Sequence, residues 1–112
     1  MYDEDERKAR NEKIAEAINA KHEAKKVFLD ARIREHESAD LLYDQKAQII
    51  LDRDESGKPT LQGADAEKEA YVWRMTEPAR KANVARQIEM AKAQIASEKA
   101  SDDLDFLYRS GW

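Results

Sequence analysis

From Asp3 to Leu51 the chain contains neither proline nor glycine. Those two residues weaken a helix interior more than any others, so a run this long, filled with good helix formers, predicts one helix over residues 3–52. At 1.5 Å per residue that helix would be roughly 70 Å long, well beyond a globular average, and suited to a rod or a hairpin arm. Acidic residues crowd its first turn, where they oppose the helix dipole. Asp3/Arg7, Glu4/Lys8, Glu6/Arg10 and Asp30/Arg34 stand four apart with the acid first, the favourable order for side-chain pairs. Ala, Glu, Lys, Arg and Leu together supply 58 of the 112 residues, the bias of long helices and coiled coils. Disorder is the competing reading of so much charge, but it is favoured by high net charge, and here 20 basic residues face 24 acidic ones.

Small residues mark one face of this run. Ala17, Ala20, Ala24, Val27 and Ala31 recur at alternating steps of three and four, the a/d spacing of a coiled coil, with Ile14, Ile18 and Phe28 beside them. Alanine at such positions permits close helix approach. The stripe turns polar from Glu35 to Ser38 and resumes with Ala39, Leu42, Tyr43, Lys46, Ile49 and Ile50, which reads as a stutter in the seam.

Residues 52–64 form the clearest loop, holding two of the three glycines and one of the two prolines. A short β-hairpin pairing residues 49–53 with 58–62 around Ser56 and Gly57 is the alternative. A second helix over 65–100 follows, with Asp65 as its expected cap, Glu67 in its first turn, and Ala70, Tyr71, Trp73 and Met75 along it. Pro78 disfavours helix at the residue before it and lacks a donor, so a break is expected near 76–78. Beyond it Val84, Ile88, Ala91 and Ile95 stand at steps of four, three and four and read as a second seam. Ala93, Ala96 and Ala100 repeat the small-residue pattern on an adjacent face.

Two long helices joined by about a dozen residues fold back most simply as an antiparallel pair. The expected fold is therefore all-α: a long antiparallel, coiled-coil-like helical hairpin over residues 1–100, kinked near Pro78, followed by a short C-terminal helix or tail. That last segment, residues 101–112, is acidic and then aromatic. Ser101 is its expected cap, and Leu104, Phe106, Leu107 and Trp112 are candidates for a docking contact. Two helices cover only one stripe each, so apolar residues remain for partners.

The loop also carries the one chemistry-bearing pattern. Asp52, Asp54 and Ser56 alternate and precede Gly57, giving oxygen ligands and a sharp turn as calcium requires. To that extent the loop resembles the start of an EF-hand, and the resemblance covers these six positions. Gly63 stands where the bidentate glutamate belongs, and Pro59 takes the place of a pairing aliphatic. A solvated connector is the expectation and calcium the alternative.

Other chemistries find no residues. The sequence has no cysteine, so it has neither a thiolate nor a disulfide frame. His22 and His36 sit in no metal-ligand motif, Gly57-Lys58-Pro59-Thr60 lacks the P-loop tripeptide, and no carboxylate is flanked by the apolar residues that would raise its pKa toward a general acid's. The acidic start lacks the basic-then-apolar pattern of a secretory signal, and no apolar run is long enough for a membrane span. A net charge of -4 argues against a general nucleic-acid binder. Residues 78–100 are locally basic, and Arg80, Lys81, Arg86 and Lys92 define the alternative of a phosphate-contacting helix; charge pairing with the acidic first helix explains the same asymmetry.

The expected function is non-enzymatic: a cofactor-free structural or assembly protein working through helix–helix contacts, as a homo-oligomer or a subunit of a larger particle, in the cytoplasm or a virion. A small regulator of an enzyme or a nucleic-acid-processing complex is the alternative.

Overall fold

The computed structural model of the chain describes residues 4–110 and contains three helices: α1, Glu4–Leu51; α2, Asp65–Met75; and α3, Glu77–Arg109. The expected start at Asp3 and the expected contact at Trp112 lie outside the described residues. The protein is all-α, and α1 and α3 pack antiparallel as a helical hairpin, with the short α2 between them in sequence. Two units divide the chain. One joins residues 1–32 with 89–112, and the other is residues 33–88.

α1 ends where the helix formers end. Asp52 begins a tight reversal in which the Asp54 N–H donates to the Lys58 carbonyl at 2.9 Å and the Thr60 N–H to the Asp52 carbonyl at 3.1 Å. The hairpin alternative shrinks to one antiparallel bridge, Arg53 to Pro59, because residues 49–51 stay helical. Gly57 turns the chain with φ +83°, a conformation that costs other residues a Cβ clash. Gly63 (φ +117°) holds a conformation that L side chains rarely adopt, while the Glu67 carboxylate end that a Cβ there would meet is free to swing aside. The N-cap of α2 is Ala64, extended and without a side-chain cap bond. Asp65, expected as the cap, is instead the first helical residue and with Glu67 acts through the dipole.

The break falls where Pro78 places it. Thr76 (φ -102°, ψ 10°) closes α2, its N–H and Oγ1 both donating to the Val72 carbonyl at 3.1 and 2.7 Å. α3 starts at the next residue, and the Arg80 N–H donates to the Thr76 carbonyl at 2.9 Å, so the interruption is a single residue wide.

Burial along α1 follows an unbroken 4-3 rhythm: Arg10, Ile14, Ala17, Lys21, Ala24, Phe28, Ala31, Glu35, Ser38, Leu42, Gln45 and Ile49 are buried or half-buried. Ala17, Ala24 and Ala31 are shared with the expected seam, but Lys21 and Phe28 replace Ala20 and Val27. Both rhythms pass through 17, 24 and 31 and differ in which flank turns inward. Phe28 carries more apolar area than Val27, which is 53% exposed, and its burial selects the flank. The expected stutter is absent, since Glu35 and Ser38 hold seam positions in step with their neighbours.

On α3 the packed face is Ala79, Asn83, Arg86, Met90, Ala93, Ser97, Ala100, Leu104 and Leu107, again at alternating steps of four and three. Val84, Ile88, Ala91 and Ile95, expected as the seam, are all exposed and lie on the opposite face. In the first unit the buried apolar residues are Ala31, Ala93 and Leu104; in the second the buried residues are polar, Thr76 and Asn83. Asn83 Oδ1 accepts from Gln87 Nε2 at 3.2 Å, while its own Nδ2 is buried without a hydrogen-bond partner. Ser101, expected to cap a separate helix, lies inside α3, which continues to Arg109.

Candidate partner-binding surfaces

Several large apolar side chains of α3 stay exposed. Val84, Ile88 and Ile95 on α3 are 51%, 50% and 66% exposed and, with Ala91, form one outward stripe. In a helix whose opposite face already packs, such positions are ordinarily polar, because nothing in the same chain can cover them. The periodicity was legible in the sequence; which of two apolar faces turns inward depends on what the facing helix offers.

The C-terminal nonapeptide of α3 divides in two. Leu104 is buried and Leu107 half-buried in the first unit, so these two candidates belong to its core. Phe106 is 71% exposed, and Tyr108 also faces solvent beside Asp102 and Asp105.

In the second unit Ile50, Leu61, Val72 and Trp73 line an open hollow of about 450 Å³, shared with Lys46, Lys68, Asp65 and Glu69. Trp73 stands at one side, with the Arg80 guanidinium 3.4 Å from its ring centroid. The same guanidinium donates from Nη2 and Nε to the Trp73 carbonyl at 2.7 and 3.1 Å. Sequence reading placed Trp73 among the apolar residues that two helices cannot all cover, and it is 61% exposed; its stack on Arg80 was not foreseen. Its seven-residue spacing to Arg80, two helical turns, was the available signal, but the intervening break hid it.

The four cations of the phosphate alternative do not present one face. Arg80 is committed to Trp73, Lys81 Nζ lies 3.0 Å from Glu77 Oε1, Arg86 sits half-buried in the seam, and only Lys92 simply faces outward. Lys81 holds the Glu77 carboxyl below its usual range, first by hydrogen bonding and then by charge.

Nor does the loop gather ligands. Asp54 Oδ1 accepts from the Ser56 N–H at 2.9 Å, Ser56 Oγ at 2.6 Å and the Lys58 N–H at 3.0 Å. These bonds, that of the Ser56 hydroxyl first, lower the Asp54 pKa and turn the carboxylate into the loop's own fastening. Among the described residues no group of three or more histidines and carboxylates, including Asp52 and Asp54, is set to hold a metal ion. His22 and His36 are exposed on α1. No described helix is long and apolar enough to cross a membrane.

The fold and these surfaces define an all-α hairpin with exposed apolar faces, the character of a partner-binding protein. No family model, curated protein or solved structure matches the chain.

Proposed function

We propose that this chain is a non-enzymatic structural or assembly protein that works through helix–helix contacts within a multi-subunit particle. A small virion component in a cytoplasmic assembly line is a setting that fits its size and design, an argument from analogy alone. The observation that carries the reading is the outward stripe of Val84, Ile88 and Ile95, each at least half exposed on a helix that already packs by its other face. A thin interior supports it further: Ala31, Ala93 and Leu104 are the buried apolar residues among those described, so much of the apolar surface is left for other chains.

The test is the mass of the chain in solution across concentration, by sedimentation. A defined oligomer supports assembly. A chain that stays monomeric at every concentration favours the second reading, a small regulator of an enzyme or nucleic-acid-processing complex. That reading draws on the exposed Phe106 and Tyr108 beside Asp102 and Asp105, an acidic-aromatic end suited to a basic groove.

A further inference from the structure

The outward stripe of α3 is complementary to itself. Val84, Ile88, Ala91 and Ile95 belong to one uninterrupted helix, and their steps of four, three and four read the same in both directions. Laying a second α3 antiparallel on the first, about a two-fold axis between positions 89 and 90, sets Val84 against Ile95 and Ile88 against Ala91, twice each.

The flanks decide between orientations. Gln87 and Gln94 lie along one edge of the stripe, and Ala85 and Lys92 along the other. In the antiparallel register like edges meet, so glutamine faces glutamine and Lys92 faces Ala85, with no opposed charges. Beyond the apolar residues the stripe ends in Lys81 and Glu98, and the same register places Lys81 of one copy against Glu98 of the other. Lys81 is largely exposed while bound to Glu77, and Glu98 accepts from Gln94 Nε2 at 3.3 Å, so both groups remain at the surface. A parallel pairing would instead oppose Lys81 to Lys81 and Glu98 to Glu98, which like-charge repulsion disfavours.

We propose that the outward face of α3 binds the same face of a second copy of this chain, antiparallel, in the register that pairs residue 84 with residue 95. The proposal rests on the assembly reading and names its partner. Three large side chains per copy make a small contact beside the roughly 1,200–2,000 Å² of stable interfaces, so association is concentration-dependent.

Two measurements on the full chain test it. Sedimentation compares the natural sequence with Ile88→Asp and Ile95→Asp, helicity being checked by circular dichroism. Both variants are expected to keep helicity and melting temperature and to lose self-association. Because the sequence has no cysteine, Val84→Cys and Ile95→Cys chains can also be mixed and mildly oxidised. The mixed 84–95 disulfide is expected to exceed the 84–84 and 95–95 products several-fold. Dominance of the 84–84 product overturns the register. Full self-association by both aspartate variants overturns the face while leaving assembly standing, and a monomeric natural chain at all concentrations removes both the proposal and the assembly reading.

Discussion

Arg80 both stacks on Trp73 and ties down its backbone: the guanidinium lies 3.4 Å from the ring centroid and reaches the Trp73 carbonyl at 2.7 Å. The carbonyl is available because the helix is interrupted between Met75 and Glu77. One side chain thereby bridges the end of α2 and the start of α3.

Replacing Arg80 with alanine removes an exposed cation–π contact of about 0.5–1 kcal/mol and hydrogen bonds worth about 1 kcal/mol net. The melting temperature should fall by several degrees, and Trp73 emission, read in a Trp112→Phe background, should shift. Arg80→Lys should recover little of either, since a lysine lacks the planar fork. Unchanged emission in Arg80→Ala would show that the stack is not maintained in solution.

The two flanks of the α1 seam give opposite predictions. Ala31→Glu introduces a charge at a site 3% exposed and should unfold or severely destabilise the hairpin, by a few kcal/mol. Val27→Asp, on the rejected flank, should change the thermal melt within about 0.5 kcal/mol. Equal damage from both would mean the expected seam, with Val27 inward, is the packed one.

Within the C-terminal segment Leu104→Ala should cost about 2–5 kcal/mol, as truncation of a buried leucine does. Phe106→Ala, at a position 71% exposed, should leave chemical denaturation almost unaltered. The comparison separates the part of the segment that holds the hairpin from the part that faces outward.

Asn83 is a polar residue in the α3 seam, with a buried Nδ2 that finds no hydrogen bond. Asn83→Leu should raise the melting temperature, because an unsatisfied buried amide is costly, and should loosen the register that a polar seam residue specifies. Doubled amide resonances in the stabilised variant would report the second effect; a lower melting temperature would refute the first.

Asp54 carries a pH prediction whose sign follows from its lowered pKa. A carboxyl held below its unfolded value stabilises the folded loop fully above that unfolded value. The contribution declines as pH falls through the ordinary aspartate range and is gone below the lowered one. An NMR titration should place the Asp54 midpoint below that of an unstructured aspartate, with the Ser56 and Lys58 amide shifts following it. A midpoint at or above the reference value would remove the fastening role.

Much of this architecture was legible because it is written in local chemistry. The absence of proline and glycine before Asp52, the glycine-bearing loop and the position of Pro78 fix the end of α1, the start of α2 and the break before α3 almost to the residue, whereas α3 runs on past the expected end at 100 to Arg109. The faces were harder. Along α1, Ala17, Ala24 and Ala31 fit two flanks equally, and only the partner helix distinguishes Phe28 from Val27. On α3 the more apolar stripe faces outward, while the packed one runs through Asn83, Arg86 and Ser97, an outcome that hydrophobic periodicity alone assigns the other way round. The Asp54 carboxylate was read for its ligand spacing, whereas its donors are the Ser56 hydroxyl and the Ser56 and Lys58 amides of its own turn.

A seam in which small and polar residues alternate with a few large apolar ones gives each helical turn little to hold beyond the turns beside it. Contacts near the 52–64 loop close short stretches of chain, while those that join residues 1–32 with 89–112 close long ones, and the entropic cost of closure grows with that length. Folding should therefore run like a zip from the loop toward the chain ends, and heating should reverse it gradually. Amide exchange is expected to be fastest in the first turns of α1, so the thermal transition that the variants shift is a broad one that begins there.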